Sequence, residues 1–213
     1  MLDLVIATRN RHKVRELKQL LAVPGIRWRS LLEFPRAPEV PETGKTFEAN
    51  AIKKARAIAQ ATGLLALADD SGIEIEALGG RPGVRSARFA GTHGDDAANN
   101  RKLLHLLDGL PPARRGARYR CCLALVAPNG QATLAHGAWR GRIADVPRGD
   151  GGFGYDPIFL VPRLNKTVGQ LSARMKHRLS HRAAAARRLR PLLRRLTHLS
   201  RVSASLQDHA KTS

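Results

Sequence analysis

Cysteine is almost missing from this chain: Cys121 and Cys122 are the only two. They are adjacent in a segment that reads as strand, so their side chains point to opposite faces and cannot form an ordinary disulfide. That excludes a disulfide-stapled scaffold, fits a reducing compartment, and argues against a zinc site built from several spaced Cys and His ligands. The remaining histidines, among them His12, His93, His105 and His136, show no ligand spacing and read as structural or surface residues. Long apolar runs are also lacking. Nothing approaches the roughly 20 residues needed to span a bilayer, and Met1 to Ala7 runs into a charged segment without a leader pattern, so the expectation is a cytoplasmic protein with no membrane role. Neither a Gly-x-Ser-x-Gly elbow nor a glycine-rich P-loop occurs.

Acidic residues are scarce where they matter most. Against 37 Lys and Arg there are 17 Asp and Glu, giving a net charge of +20. No Asp or Glu falls between Asp156 and Asp208, while basic residues recur from Arg163 to Arg201. Such a stretch is either a solvated arginine-rich helical face or a surface that meets nucleic acid or another polyanion.

What is present is the material of one sizeable core: 213 residues, 43% of them hydrophobic. Leu2 to Ala7 reads as a buried strand, Thr8 to Lys13 as a polar loop, and Val14, Leu17, Leu20 and Leu21 as one face of a helix ending at Pro24-Gly25. Thr46 caps a long helix whose apolar positions run from Phe47 to Ala59 and which ends near Gly63. Leu64 to Ala68 reads as a strand delivering Asp69-Asp70-Ser71-Gly72 at its end, with Ile73 to Ala77 resuming as strand. Asp95 to Leu107 predicts a helix, and Arg120 to Ala127 with Ala132 to Ile143 predict a hairpin turning at Pro128-Asn129-Gly130. Gly149 to Phe159 is a glycine-rich loop. Val168 to Leu179 and His181 to Leu196 read as helices, Pro191 kinking or restarting the second. The expectation is one domain over residues 1–196 and a mobile tail over 197–213.

Several clusters carry chemistry. Asp69 and Asp70 can bind a hard cation and take a proton from water, but alternation on a strand sends them opposite ways, so one faces a site and the other braces the fold. Thr8, Asn10 and Lys13 lie between strand and helix, where free N–H groups and the helix dipole favour a phosphate; a simple capping loop reads the same way. Phe153, Gly154, Tyr155 and Asp156 combine backbone freedom, aromatic faces and a carboxylate, which suits a purine as well as a tight structural loop. Lys176, His181 and Arg182 add donors near a helix start capped by Ser180. Glu39, Glu42 and Glu48 are further acids near the candidate cation site.

In order and spacing these segments resemble the inosine/xanthosine triphosphate pyrophosphatase family over residues 1 to 196. The resemblance rests on Thr8, Asn10 and Lys13; Glu42-Thr43-Gly44-Lys45-Thr46-Phe47 with Asn50-Ala51; Ala68-Asp69-Asp70-Ser71-Gly72; Pro82-Gly83-Val84 with Ser86-Ala87-Arg88; Gly151 to Phe159; and Ser180-His181-Arg182. It implies an α/β fold with a central mixed sheet flanked by helices, two lobes around a nucleotide cleft, a homodimer, and Mg²⁺ dependence. It further implies hydrolysis of ITP, dITP and XTP to monophosphate and pyrophosphate. Asp70 becomes metal ligand and general base, and Ser71 joins Thr8, Asn10 and Lys13 at the phosphates. Phe153 to Asp156, Lys176, His181 and Arg182 hold the base. Pro41 stands where many relatives carry a metal-binding Glu, which shifts that role to Glu42, with Glu39 the other choice, and Arg9 and His12 replace small residues of the first loop. The rival reading is a nucleic-acid-binding protein that uses the basic C-terminal helix on an inactive nucleotide-binding scaffold.

Overall fold

A computed structural model of the chain describes residues 1–211, with side chains described through residue 202. The first strands are β1 (Leu2–Ile6), β2 (Ile26–Ser30) and β3 (Leu65–Ile75), followed by the hairpin β4 (Gly116–Val126) and β5 (Ala132–Ile143) and the short β6 (Phe159–Val161) and β7 (Lys166–Thr167). They form one seven-stranded mixed sheet in the order β2-β1-β3-β4-β5-β6-β7. The β2-β1-β3 pairings are parallel and every later pairing is antiparallel. β1 lies between two parallel neighbours and is buried from Leu4 to Ile6, so LDLVI reads as an apolar run, whereas the edge strand β2 is only partly buried and carries Arg27 and Arg29.

Helices cover both faces. α1 (Arg11–Leu20) and α5 (His181–Lys211) pack on one, where Leu17, Leu20 and Leu21 meet Ala183, Ala186, Leu189 and Leu193 over Leu4, Leu67 and Leu123. α2 (Phe47–Thr62) covers the other through Phe47, Ala51, Ala55 and Ile58, against Val5, Ala66, Ala68 and Cys122. Cys121 and Cys122 accordingly belong to opposite faces, as their alternation requires. The distal ends of β3 to β5 form a third cluster with Phe159, Ile158 and α3 (Asp96–Leu106), which is the second lobe. α4 (Ala173–Leu179) links that lobe back to α5.

The caps expected from sequence hold: Thr46 accepts from Ala49 N, Gly63 closes α2 in the left-handed conformation, and Ser180 Oγ accepts from Ala183 N. Three expectations need correction. The acidic motif does not terminate a strand; β3 runs unbroken through Asp69 to Gly72, because a cation meets each carboxylate from its own face. Val168 to Leu179 is not one helix but a 3₁₀ turn at Val168–Gln170 followed by α4, since Thr167 with Gln170 and then Ser172 supply separate caps. Pro191 does not restart the helix: α5 continues through it to Lys211. Pro191 and Arg187 are both exposed, so the carbonyl that the proline leaves unpaired faces water. The tail expected over 197–213 begins inside α5, which continues to Lys211 with Thr197 buried; 212 and 213 lie outside the described residues.

One glycine fixes how closely α5 approaches the sheet. A Cβ on Gly137 of β5 would collide with the His181 carbonyl oxygen and lie 2.6 Å from Ala185 N. Gly137→Ala is expected to cost about 1–3 kcal/mol in urea unfolding, the range for forcing an extra methyl into a packed contact. A variant as stable as the parent would show that the helix start can shift freely.

Candidate functional site

The edges of β1 and β3 and the N-terminus of α1 open into a cleft with two compartments. One, about 350 Å³, is lined by Tyr119, Phe153, Tyr155, Asp156, Lys176 and His181, among others. The other, about 640 Å³, is lined by Thr8, Glu42, Lys54, Asp70, Arg88 and their neighbours. Asn10, Lys13 and Ser71 border both.

Asp69 and Asp70 are buried and belong to opposite sides of β3. Asp69 faces α1 and α5. It accepts Lys13 Nζ at 2.8 Å and Arg182 Nε at 2.8 Å, with Ser71 Oγ at 2.9 Å and the Cys121 thiol at 3.4 Å. Burial alone would raise its pKa, but Arg182 and Lys13 outweigh that and hold the carboxyl well below the usual range. Asp69 is therefore the brace.

Asp70 faces α2. Its Oδ1 meets Lys54 Nζ at 2.7 Å, and its Oδ2 accepts from Asn50 Nδ2 at 3.2 Å. The same ammonium reaches Glu42 Oε1 at 2.8 Å and the Asp69 carbonyl at 2.8 Å, and Glu42 is also met by Arg88. Here burial prevails: helped by the negative charge of Glu42 and opposed by Lys54, it pushes the Asp70 carboxyl up to about 6. Two carboxylates and a backbone carbonyl converging on one ammonium are hard oxygen donors, the kind a Mg²⁺ ion accepts. The donor set thus fits such an ion, and Glu42 and Asp70 are the carboxylates that could hold it. Glu39 lines the same compartment but is exposed.

The other compartment is polar at one end and aromatic at the other. Lys176 is buried between Asp156 Oδ2 at 2.7 Å and Glu16 Oε1 at 2.8 Å, and its ammonium lies 4.4 Å from the Phe153 ring centroid. Asp156 also accepts from Phe153 N and Tyr119 Oη, so it holds Lys176 and the glycine-rich loop in place. Arg182 bridges Asp69, Glu16 and Ser71 Oγ. His181 stacks on Tyr119 at 4.6 Å and 11°; burial and the neighbouring Arg182 keep it neutral, and its buried Nδ1 has no protein partner. An orphaned buried nitrogen of this kind is a ready contact for a polar ligand. Tyr155 donates to the Ser86 carbonyl at 2.8 Å, and Gly154 N to Asp96 at 2.6 Å.

The first loop is placed as its composition suggests. Asn10 caps α1, its Oδ1 accepting from His12 N and Lys13 N, while Thr8 Oγ1 accepts from Asn10 N. Gly72 lets the segment after Pro82 approach: a Cβ there would sit 2.6 Å from the Gly83 carbonyl.

Of the residues singled out from sequence, Glu48 alone falls outside: it lines neither compartment and is engaged instead by His136 and Arg120, whereas the others line the cleft or directly brace it. Sequence reasoning missed Glu16, Asn50, Lys54, Arg88 and Tyr119 as site residues. Two left a signal: Glu16 is an acid on the apolar stripe of α1, and Lys54 a cation beside the Ala51-Ala55 stripe of α2. A separate grouping of Glu48, Cys122 and His136 was also invisible in sequence spacing. There Glu48 is engaged by His136 and Arg120, and burial raises the Cys122 thiol to about 12.

The two aspartates should separate cleanly in stability. Asp69→Asn leaves Arg182 and Lys13 without their shared carboxylate and is expected to cost about 3–5 kcal/mol, as for other broken buried pairs. Asp70→Asn removes a carboxylate that burial disfavours, and Lys54 keeps Glu42, so a much smaller change is expected. Urea unfolding of both variants without added metal checks this; equal losses would contradict the division of roles.

Known proteins share much of this sequence and fold. The Desulforamulus reducens protein named dITP/XTP pyrophosphatase is 51% identical over 195 residues, covering 92% of this chain and 97% of that protein. The Bacillus subtilis protein of the same name is 47% identical over 193 residues, covering 91% and 98%. Among solved structures, a HAM1 protein from Coxiella burnetii superposes with a TM-score of 0.84 at 43% identity, covering 91% of this chain and 98% of that one. The family model described as the Ham1 family matches residues 4–192. The chain belongs to the Ham1 family.

Proposed function

We propose that this chain hydrolyses non-standard purine nucleoside triphosphates, ITP, dITP and XTP, to the monophosphate and pyrophosphate, and so clears them from the nucleotide pool. The observation that carries the reading is the two-compartment cleft. A carboxylate pair lies at one end, a set of buried donors at the other, and the N-terminus of α1 borders both. The dITP/XTP pyrophosphatase name of the relatives points the same way.

The roles follow from placement. Thr8, Asn10, Lys13 and Ser71 line the compartment of the acids and hold the phosphates, where N–H groups at a helix start and a lysine favour negative charge. Glu42 and Asp70 would hold Mg²⁺, which when bound would neutralise charge on the triphosphate and polarise its phosphorus. Asp70, its proton affinity raised by burial, is the base that takes a proton from the attacking water. Phe153 and the Gly154 backbone frame the base, with Tyr155 and Asp156 fixing the loop. Lys176, His181 and Arg182 supply polar contacts to the 6-keto edge of hypoxanthine or xanthine. Adenine presents an amino group there and leaves buried donors unpaired, a cost of about 1–3 kcal/mol for each.

The protein acts as a cytoplasmic homodimer in this reading, which the family resemblance supports; no described helix is long and apolar enough to cross a membrane. The family match ends at residue 192, in keeping with a nucleotide domain over 1–196 and an appended segment 197–213.

The test is a panel of triphosphates with Mg²⁺, reading pyrophosphate against orthophosphate. ITP and XTP are expected to exceed ATP in kcat/KM by about 10²-fold, with pyrophosphate the product, and Asp70→Asn is expected to abolish turnover while the protein remains folded. Equal turnover of ATP and ITP would defeat the base assignment, and release of orthophosphate would defeat the bond assignment.

A further inference from the structure

The strongest feature unused by this chemistry is the outer surface of α1 and α5. Outward positions of α1 are basic at Arg11, Arg15 and Lys18, spaced four and three residues apart and so on one stripe. α5 carries a second stripe at Arg187, Arg194 and Arg201, which the 3.6-residue period places on one side of the helix. The stripes adjoin. Between Arg187 and Arg194 on that side lies Arg190, whose Nε donates to the Leu20 carbonyl at the end of α1 at 2.7 Å. Arg201 lies against Gly25, just beyond α1, where an added Cβ would come 3.1 Å from its guanidinium.

Carboxylates are few at this surface: Glu33 is near enough to feel Lys18 but is paired with Arg29. The one acid of α1, Glu16, is buried and committed to Lys176 and Arg182, and no Asp or Glu occurs on α4 or on α5 before Asp208. Among the described residues none of these six stripe cations forms an ion pair, although ion pairs engage Arg27, Arg29, Arg118 and Arg120 elsewhere on the molecule. Like charges crowded with so little counter-charge repel one another. A surface that tolerates this is complementary to an extended anion of matching charge density.

We propose that the α1–α5 surface binds duplex nucleic acid through its phosphate backbone, without regard to sequence, in addition to the nucleotide chemistry of the cleft. The length fits. From Arg187 to Arg201 the stripe runs about 21 Å, the rise of about six base pairs. Arginine predominates, and its planar fork suits phosphate oxygens. Neither helix carries Phe, Tyr or Trp, so there is no platform on which the bases of a single strand would stack. The stripes also lie outside the cleft, because the side chains that line it from these helices, His12, Lys13, His181 and Arg182, are different ones.

The test is anisotropy of a labelled short duplex titrated with the full chain across about 50 to 200 mM salt, with the triple variant Arg15→Gln/Lys18→Gln/Arg194→Gln beside the parent. These three side chains are exposed and make no hydrogen bond or ion pair among the described residues. The parent is expected to bind unrelated duplex sequences alike and to weaken steeply with salt. The variant is expected to bind at least about tenfold more weakly, with a salt slope shallower by about three, and with unchanged melting temperature and ITP turnover. Salt-independent or absent duplex binding would overturn the proposal, as would a variant that binds duplex like the parent. It would also be overturned by tighter binding of single strands than of duplex, by binding of anionic phosphatidylserine vesicles in preference to duplex, or by a loss in kcat/KM for ITP without loss of duplex affinity, which would mark the surface as steering substrate.

Discussion

Two neighbouring carboxylates buried in the middle of a strand stay there only if positive charge reaches each from its own side of the sheet. Asp69 and Asp70 impose that constraint, and much of the molecule answers it. On one side Lys13 of α1 and Arg182 of α5 close on Asp69; on the other, Lys54 of α2 closes on Asp70. The helices on both faces are thus tied to the same two positions of β3 by charge as well as by apolar packing. The two environments differ in outcome: paired with two cations Asp69 is held ionised, while Asp70, with one cation and a second carboxylate nearby, keeps its proton to about pH 6.

The consequences spread outward from Asp69. Arg182 also meets Glu16, Glu16 meets Lys176, and Lys176 meets Asp156, so an alternating chain of buried charges runs from the strand to the glycine-rich loop. Its members are costly to bury singly and tolerable together. The chain fixes Phe153, His181 and Lys176 relative to the phosphate end of the cleft. Preorganisation of this kind supports discrimination between a keto and an amino purine, because the donors cannot turn away to satisfy themselves elsewhere.

Much of this was legible in the sequence. Strand alternation alone required Asp69 and Asp70 to divide their work, and cap chemistry at Thr46, Gly63 and Ser180 placed the helices that carry the site. The resemblance to the pyrophosphatase family assigned roles that no single motif could rank. What stayed hidden was the set of counter-charges. Lys54 and Glu16 are ordinary residues of amphipathic helices until the sheet brings their faces to β3, and Tyr119 joins the cleft only through the pairing of β4 with β5 and the stacking of His181. The same ion pairs explain the misjudged strand: a pair of aspartates reads as a terminator when the cations that neutralise it lie far away in sequence. Pro191 was misread because its exposure could not be known.

The division between the two aspartates is tested most directly by the affinity of the resting protein for Mn²⁺ or Mg²⁺ as a function of pH, measured by calorimetry. A carboxyl whose pKa is raised must lose its proton before it can bind the ion. Affinity should therefore hold above pH 6 and fall about tenfold per unit below it, with proton release on binding and with the break near 6 absent in Asp70→Asn. An affinity that passes unchanged through pH 6, or the same break in the Asp70→Asn variant, would contradict the account.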